Sequence, residues 1–151
     1  MPAKAESLKT RYTIIVNKSS RESSMSSGQP TKEDPIKIHR EGTNLSDLGK
    51  HKEASEKFLR ASELYEKDGN FFDASYALFK AAECNYLLKD YDTAVERFLE
   101  AADLALKKAF DRFAISALEY ALDCYKALGK KKKEAELKKR VKELKEKASA
   151  F

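Results

Sequence analysis

From Pro35 onward, apolar side chains recur three and four positions apart, and short polar points interrupt them at nearly even intervals. That spacing puts the apolar residues on one stripe of a helix, because residues three and four apart share a face. The interruptions are LGKH (48–51), KDGN (67–70), KDY (89–91), KKAFD (107–111) and LGKK (128–131). They predict six helices, over about 35–48, 51–67, 71–88, 91–108, 111–128 and 131–148. Pro35 suits a first helical position, and Asn70 and Asp90 are expected to N-cap the helices that follow them. Links this short oblige neighbouring helices to run antiparallel. Upstream, residues 1–33 read as a disordered tail. Their stretch NKSSRESSMSSGQPTKE is rich in Ser, Gly, Pro and charge, and offers almost nothing to bury. Met25 opens a run, MSSGQPTKEDP, that has the look of an ordinary protein start. Translation from Met25 is therefore one expectation, and a longer arm from Met1 the other.

The apolar skeleton repeats at a step of forty residues. Ala54 returns as Ala94, Phe58-Leu59 as Phe98-Leu99, and Ala61 as Ala101. Ile38, Leu78 and Leu118 align, as do Leu48, Leu88 and Leu128, and Asn44 with Cys84 and Cys124. The helices thus form three hairpins, over about 35–70, 71–109 and 110–148, within a domain spanning 34–149. One hairpin cannot bury its own apolar face, whereas three stacked copies share a continuous core. In the third copy Lys138 and Lys139 stand where Phe and Leu stood before. That change predicts a terminal cap with a narrow stripe of Leu137, Val141, Leu144 and Ala148. Its solvated side is expected to carry the i,i+4 pairs Glu134–Lys138, Glu136–Arg140, Lys139–Glu143 and Lys142–Glu146.

Gly42, Leu45, Gly49, Ala54, Phe58 and Ala61 in the first unit resemble the small and large packing positions of the tetratricopeptide (TPR) repeat. Leu78, Ala81, Ala82, Tyr91, Ala94, Phe98 and Ala101 do so in the second. The period of forty exceeds the usual value of about 34, and hairpins of this length are similar to those of the soluble NSF-attachment proteins, which are TPR-like adaptors. The resemblance implies an all-α, right-handed superhelix of three hairpins and a non-catalytic adaptor or scaffold. A concave face would be lined by the first helix of each hairpin. By motif position that face carries His39, Arg40, Tyr76, Phe79, Lys80, Glu83, Tyr120 and Asp123 as candidate contacts for a protein or peptide partner. Aromatic and Arg anchors among mixed charges suit an interface. Where some TPR domains clamp a C-terminal carboxylate, this chain has His39, Thr43, Lys80, Ser116 and Tyr120. With one firm cation among them, that kind of tail binding is not expected.

Composition adds a helix-rich balance: 36% charged and 42% hydrophobic residues, with five Gly and three Pro. The charge is uneven. Residues 34–125 hold thirteen Lys/Arg against eighteen Asp/Glu, whereas residues 126–151 hold eleven against four. Lys130, Lys131, Lys132, Lys133, Lys138, Lys139 and Arg140 are candidate anion-binding residues. They open a second reading, electrostatic contact with nucleic acid, the ribosome, an acidic protein or anionic lipid. The helix lacks interleaved aromatics, which argues against sequence-specific recognition. A third reading is head-to-tail self-association, because the first hairpin carries no cap of its own.

Catalytic signals are lacking. No phosphate-binding loop occurs, and His39 and His51 stand apart from any metal-ligand spacing. Cys84 and Cys124 share one repeat position and read as small core residues. No enzyme activity, metal or cofactor is expected. The run YTIIV (12–16) is too short for an export signal or a membrane span, and two cysteines without such a signal point to a reducing cytoplasm.

Overall fold

Every link between helices closes in the same way. The computed structural model describes residues 32–150, and six α-helices run in order: α1 (Pro35–Asp47), α2 (His51–Lys67), α3 (Phe71–Leu87), α4 (Tyr91–Lys107), α5 (Asp111–Leu128) and α6 (Lys131–Ser149). Residues from Asp34 onward form one compact unit. The expected tail and the Met25 start fall outside the described residues, apart from the short lead into α1.

At each link one residue takes the left-handed conformation: Gly49, Gly69, Lys89, Ala109 and Gly129, with φ of 77°, 80°, 60°, 60° and 69°. The next N–H then reaches back five residues to a carbonyl. Lys50 donates to Leu45 at 2.9 Å, Asn70 to Tyr65 at 2.8 Å, Asp90 to Asn85 at 2.9 Å, Phe110 to Ala105 at 3.0 Å and Lys130 to Tyr125 at 3.0 Å. This is the Schellman closure, which satisfies carbonyls a helix end leaves free. The left-handed positions fall twenty residues apart, half the sequence period, so each helix with its turn is a module of constant length.

Lys89 and Ala109 take this conformation with a Cβ present, at a cost of roughly 1–2 kcal/mol. Lys89→Gly and Ala109→Gly should each stabilise the fold by about 0.5–1 kcal/mol, after the greater freedom of glycine in the unfolded chain is subtracted. Urea unfolding of the single variants would check this, and unchanged midpoints would refute it. Capping is less uniform. Asp34 and Asp90 accept from Ile36 N at 3.0 Å and Thr93 N at 3.4 Å. Pro35 occupies the first turn of α1, as expected. Asn70 makes no side-chain cap, contrary to expectation. Its backbone carbonyl accepts from Ala74 N at 2.9 Å, and its side chain is left in solvent.

Consecutive helices pack on one another from α1 to α6. The repeated skeleton lies on α2 and α4, where Ala54, Phe58, Ala61, Ala94, Phe98 and Ala101 are all fully buried. Phe98 joins two hairpins, lying edge-on to Phe79 of α3 at 5.3 Å and stacked on Tyr120 of α5 at 5.3 Å. Gly42 of α1 admits the Phe58 ring so closely that a Cβ there would stand 3.0 Å from its carbons. Cys84 and Cys124 are both buried free thiols. Burial pushes the Cys124 thiol up to about 12 and raises that of Cys84, which leaves neither poised as a nucleophile.

Polar groups inside the stack are bonded across helices. Ser62 donates to the Ala74 carbonyl at 2.7 Å, and Ser75 to the Ala101 carbonyl at 3.0 Å. Deeper in, the Arg97 guanidinium of α4 donates to Ser55 Oγ of α2 at 2.7 Å and to Asn85 Oδ1 of α3. The three side chains are all under one-tenth exposed.

The cap differs from expectation in two respects. Leu137 and Val141 are buried and Leu144 partly so, but Ala148 is exposed. The apolar stripe stops one turn early, where a terminal helix has little left to lie on. Among the described residues none of the four expected i,i+4 pairs forms. Instead Arg140 bonds Asp103 of α4 at 3.3 Å, Lys145 bonds Glu119 of α5 at 3.3 Å, and Lys130 meets Asp92 of α4 at 3.6 Å. Acids on the neighbouring helices lie within reach of cations that flank the stripe, and these pairs tie α6 to the body.

Candidate functional site

The free faces of α1, α3 and α5 follow from the 3.6-residue period. On α3, Ala74, Ala77, Leu78, Ala81 and Cys84 turn inward, which leaves Phe72, Tyr76, Glu83 and Leu87 on the outer side. On α5 the corresponding residues are Arg112, Ser116, Tyr120 and Asp123. On α1 they are Ile36, Arg40, Thr43 and Asp47.

Aromatic rings connect these helices. His39 is half-buried, edge-on to Phe58 at 5.0 Å and stacked on Tyr76 at 5.8 Å. Tyr76 reaches Phe113 at 6.3 Å, and Phe113 lies 5.4 Å from Phe79. Phe79 meets Tyr120 edge-on at 5.1 Å. Of the candidate contacts, His39 with Tyr76 and Phe79 with Tyr120 are therefore brought together. Tyr76 and Tyr120 remain 40% and 39% exposed, whereas Phe79 is packed against the core, so of these candidate rings the two tyrosines are the ones open to solvent.

Lys80 bonds Glu83 at 2.7 Å. Burial alone would lower the Lys80 ammonium, but the hydrogen bond and charge of Glu83 outweigh it and hold the group above its usual range. Arg40 and Asp123 stand exposed.

The positional reasoning missed Phe72, Phe110 and Phe113. Phe72 is 46% exposed and lies against Phe110 at 5.1 Å and Phe113 at 5.6 Å. None of the three recurs at the forty-residue step, so the repeat does not mark them. The usable signal was the i,i+4 spacing of Phe72 and Tyr76 beside the aromatic-rich FDRF (110–113) at the start of α5.

His39 carries a testable consequence. Burial, then the charge of Lys80, lowers its pKa below 6.5, with Asp73 opposing. Its Nδ1 is buried without a hydrogen-bond partner. As pH falls below about 6.5, the unfolded chain takes up the proton first. Stability contributed by neutral His39 is thus present above that pH and declines as pH falls toward the lowered native value. Urea unfolding at pH 7.5 and at pH 5 should show a larger acid loss for the wild type than for His39→Phe. Equal losses would refute it.

The candidate anion-binding residues separate into two groups. Lys130 and Arg140 bond α4, and the Lys133 ammonium lies 6.0 Å from the Tyr125 ring centre. Lys131, Lys132, Lys138 and Lys139 are exposed. Among the described residues no group of three or more His, Cys, Asp or Glu could hold a metal ion. No described helix is long and apolar enough to cross a membrane.

The model of the soluble NSF attachment protein family matches residues 40–151. The chain belongs to that family. Its six helices agree with the expected TPR-like hairpins of the attachment-protein type, and its family is one of helical protein-interaction adaptors. No curated protein and no solved structure matches the chain.

Proposed function

We propose that this member of the soluble NSF attachment protein family is a non-catalytic cytoplasmic adaptor. It binds a protein or peptide on the face of α1, α3 and α5, the face expected to be concave. The observation that carries this reading is the division of labour between helices. Repeated aromatics on α2 and α4 are sealed in the core, whereas unrepeated ones on α3 and α5, Phe72, Tyr76 and Tyr120, stay substantially exposed. Exposed aromatics set among charges supply apolar contact area at low cost in side-chain entropy, as interface hot spots do. Arg40, Lys80, Glu83 and Asp123 would then orient the bound chain.

The family is named for attachment to NSF, which makes that protein the first partner to assay. Immobilised full-length chain should retain a partner, and Phe72→Ala with Tyr76→Ala should weaken retention at least tenfold while circular dichroism stays unchanged. Phe79→Ala is a poorer probe, because Phe79 is packed and its loss would disturb the fold. Retention unaffected by the double variant would sink the groove reading. The nucleic-acid alternative gains no stacking platform, since α6 carries no aromatic residue from Lys131 to Ser149.

A further inference from the structure

On α6 successive residues advance by about 100° around the axis. With Leu137, Val141 and Leu144 turned toward the body, the opposite side is a band roughly 120° wide that holds Lys131, Lys132, Lys138, Lys139 and Lys142. Glu146 is the one acid within it, and Glu136 and Glu143 fall outside. All five lysines are exposed. The cations bonded to acids of the body, Lys130, Arg140 and Lys145, lie outside the band. The helix therefore uses one set of cations to hold itself to the stack and presents another to solvent.

From Lys131 to Lys142 the band is about 16 Å long on a continuous helix. It holds no aromatic, no Arg and no amide side chain, only hydrated point charges on flexible stems, with Ala135 between them. Such a surface cannot stack on bases or fork onto individual phosphates. Nor has it apolar residues to insert below a headgroup layer. It complements a flat, laterally mobile array of negative charge, to which each lysine contributes independently. We propose that the outer face of α6 adsorbs electrostatically to anionic lipid headgroups at a membrane surface. Adsorption through the terminal helix leaves Phe72, Tyr76 and Tyr120, on α3 and α5, free for a protein partner. Such adsorption does not depend on that partner.

Co-sedimentation of the full chain with vesicles tests it, comparing phosphatidylcholine mixed with phosphatidylserine against phosphatidylcholine alone. Binding is expected to the mixed vesicles only, and to fall steeply as salt rises from roughly 50 to 500 mM. The triple variant Lys131→Glu, Lys138→Glu, Lys142→Glu should bind at least about a hundred-fold more weakly, given the contribution of each basic residue near such a surface. Its circular dichroism and melting temperature should be unchanged. A Lys→Gln triple at the same positions, losing less, separates charge from any disturbance of the helix. Equal binding to the neutral vesicles, or undiminished binding by the Glu triple, would overturn the proposal. So would tighter binding to a duplex RNA, lost in the same variant, which would assign the band to nucleic acid.

Discussion

Phe98→Ala should destabilise the protein by about 3–5 kcal/mol, the range for deleting a buried aromatic ring. The ring has no solvent exposure and spans three helices, with Phe79 of α3 on one side and Tyr120 of α5 on the other. Its removal strips both partners of contacts and leaves a void between the second and third hairpins. In a stack where each hairpin touches only its neighbours, a void at that junction weakens the coupling that makes unfolding cooperative. A melting temperature lower by about 10 °C or more is expected by calorimetry. Phe98→Leu, which keeps much of the volume, should lose less than half as much. A loss under 1 kcal/mol for the Ala variant would show that the neighbouring rings close over the gap.

The same residue shows what could be read from the chain alone. Phe58 and Phe98 were legible as core because they recur forty apart while the charges around them change. Helix ends were legible to within a residue because every break coincides with a left-handed turn, three of them at glycines. Lys138 and Lys139, standing where Phe and Leu stood in the earlier copies, marked α6 as a helix with a solvated outer side, and both are exposed. Features that differ between copies escaped. Phe72, Phe110 and Phe113 have no counterparts in the other hairpins, so periodicity says nothing of them. The ion pairs of α6 followed proximity to α4 and α5 rather than helix spacing, and a local rule cannot see another helix. The candidate face was readable as a set of positions. Which rings on it are packed and which open depended on three-dimensional neighbours: Phe79 is held by Phe98, Phe113 and Tyr120, whereas Tyr76 is free on one side.

The buried Ser55–Asn85–Arg97 cluster was equally invisible, and its disruption has the second large expected effect. At the forty-residue step Asn85 corresponds to Leu45 and Tyr125, and Arg97 to Lys57 and Leu137, so no other hairpin builds it. Asn85→Leu removes an acceptor from a guanidinium that is 4% exposed. A lost hydrogen bond to a buried charge costs about 2–3 kcal/mol, and that loss is expected in urea unfolding. Arg97→Leu in the same background should recover most of it, since replacing both partners by apolar groups is often close to neutral. Leu is already the residue at the equivalent of Asn85 in the first hairpin and of Arg97 in the third, so the side chain suits both settings. Arg97→Leu alone should cost less than Asn85→Leu, because Ser55 and Asn85 still bond each other at 3.3 Å. Recovery in the double variant would show the cluster acting as a unit that sets the register of α2, α3 and α4 rather than as a source of net stability. Additive losses would mean that Asn85 and Arg97 contribute separately, and the register role would fall.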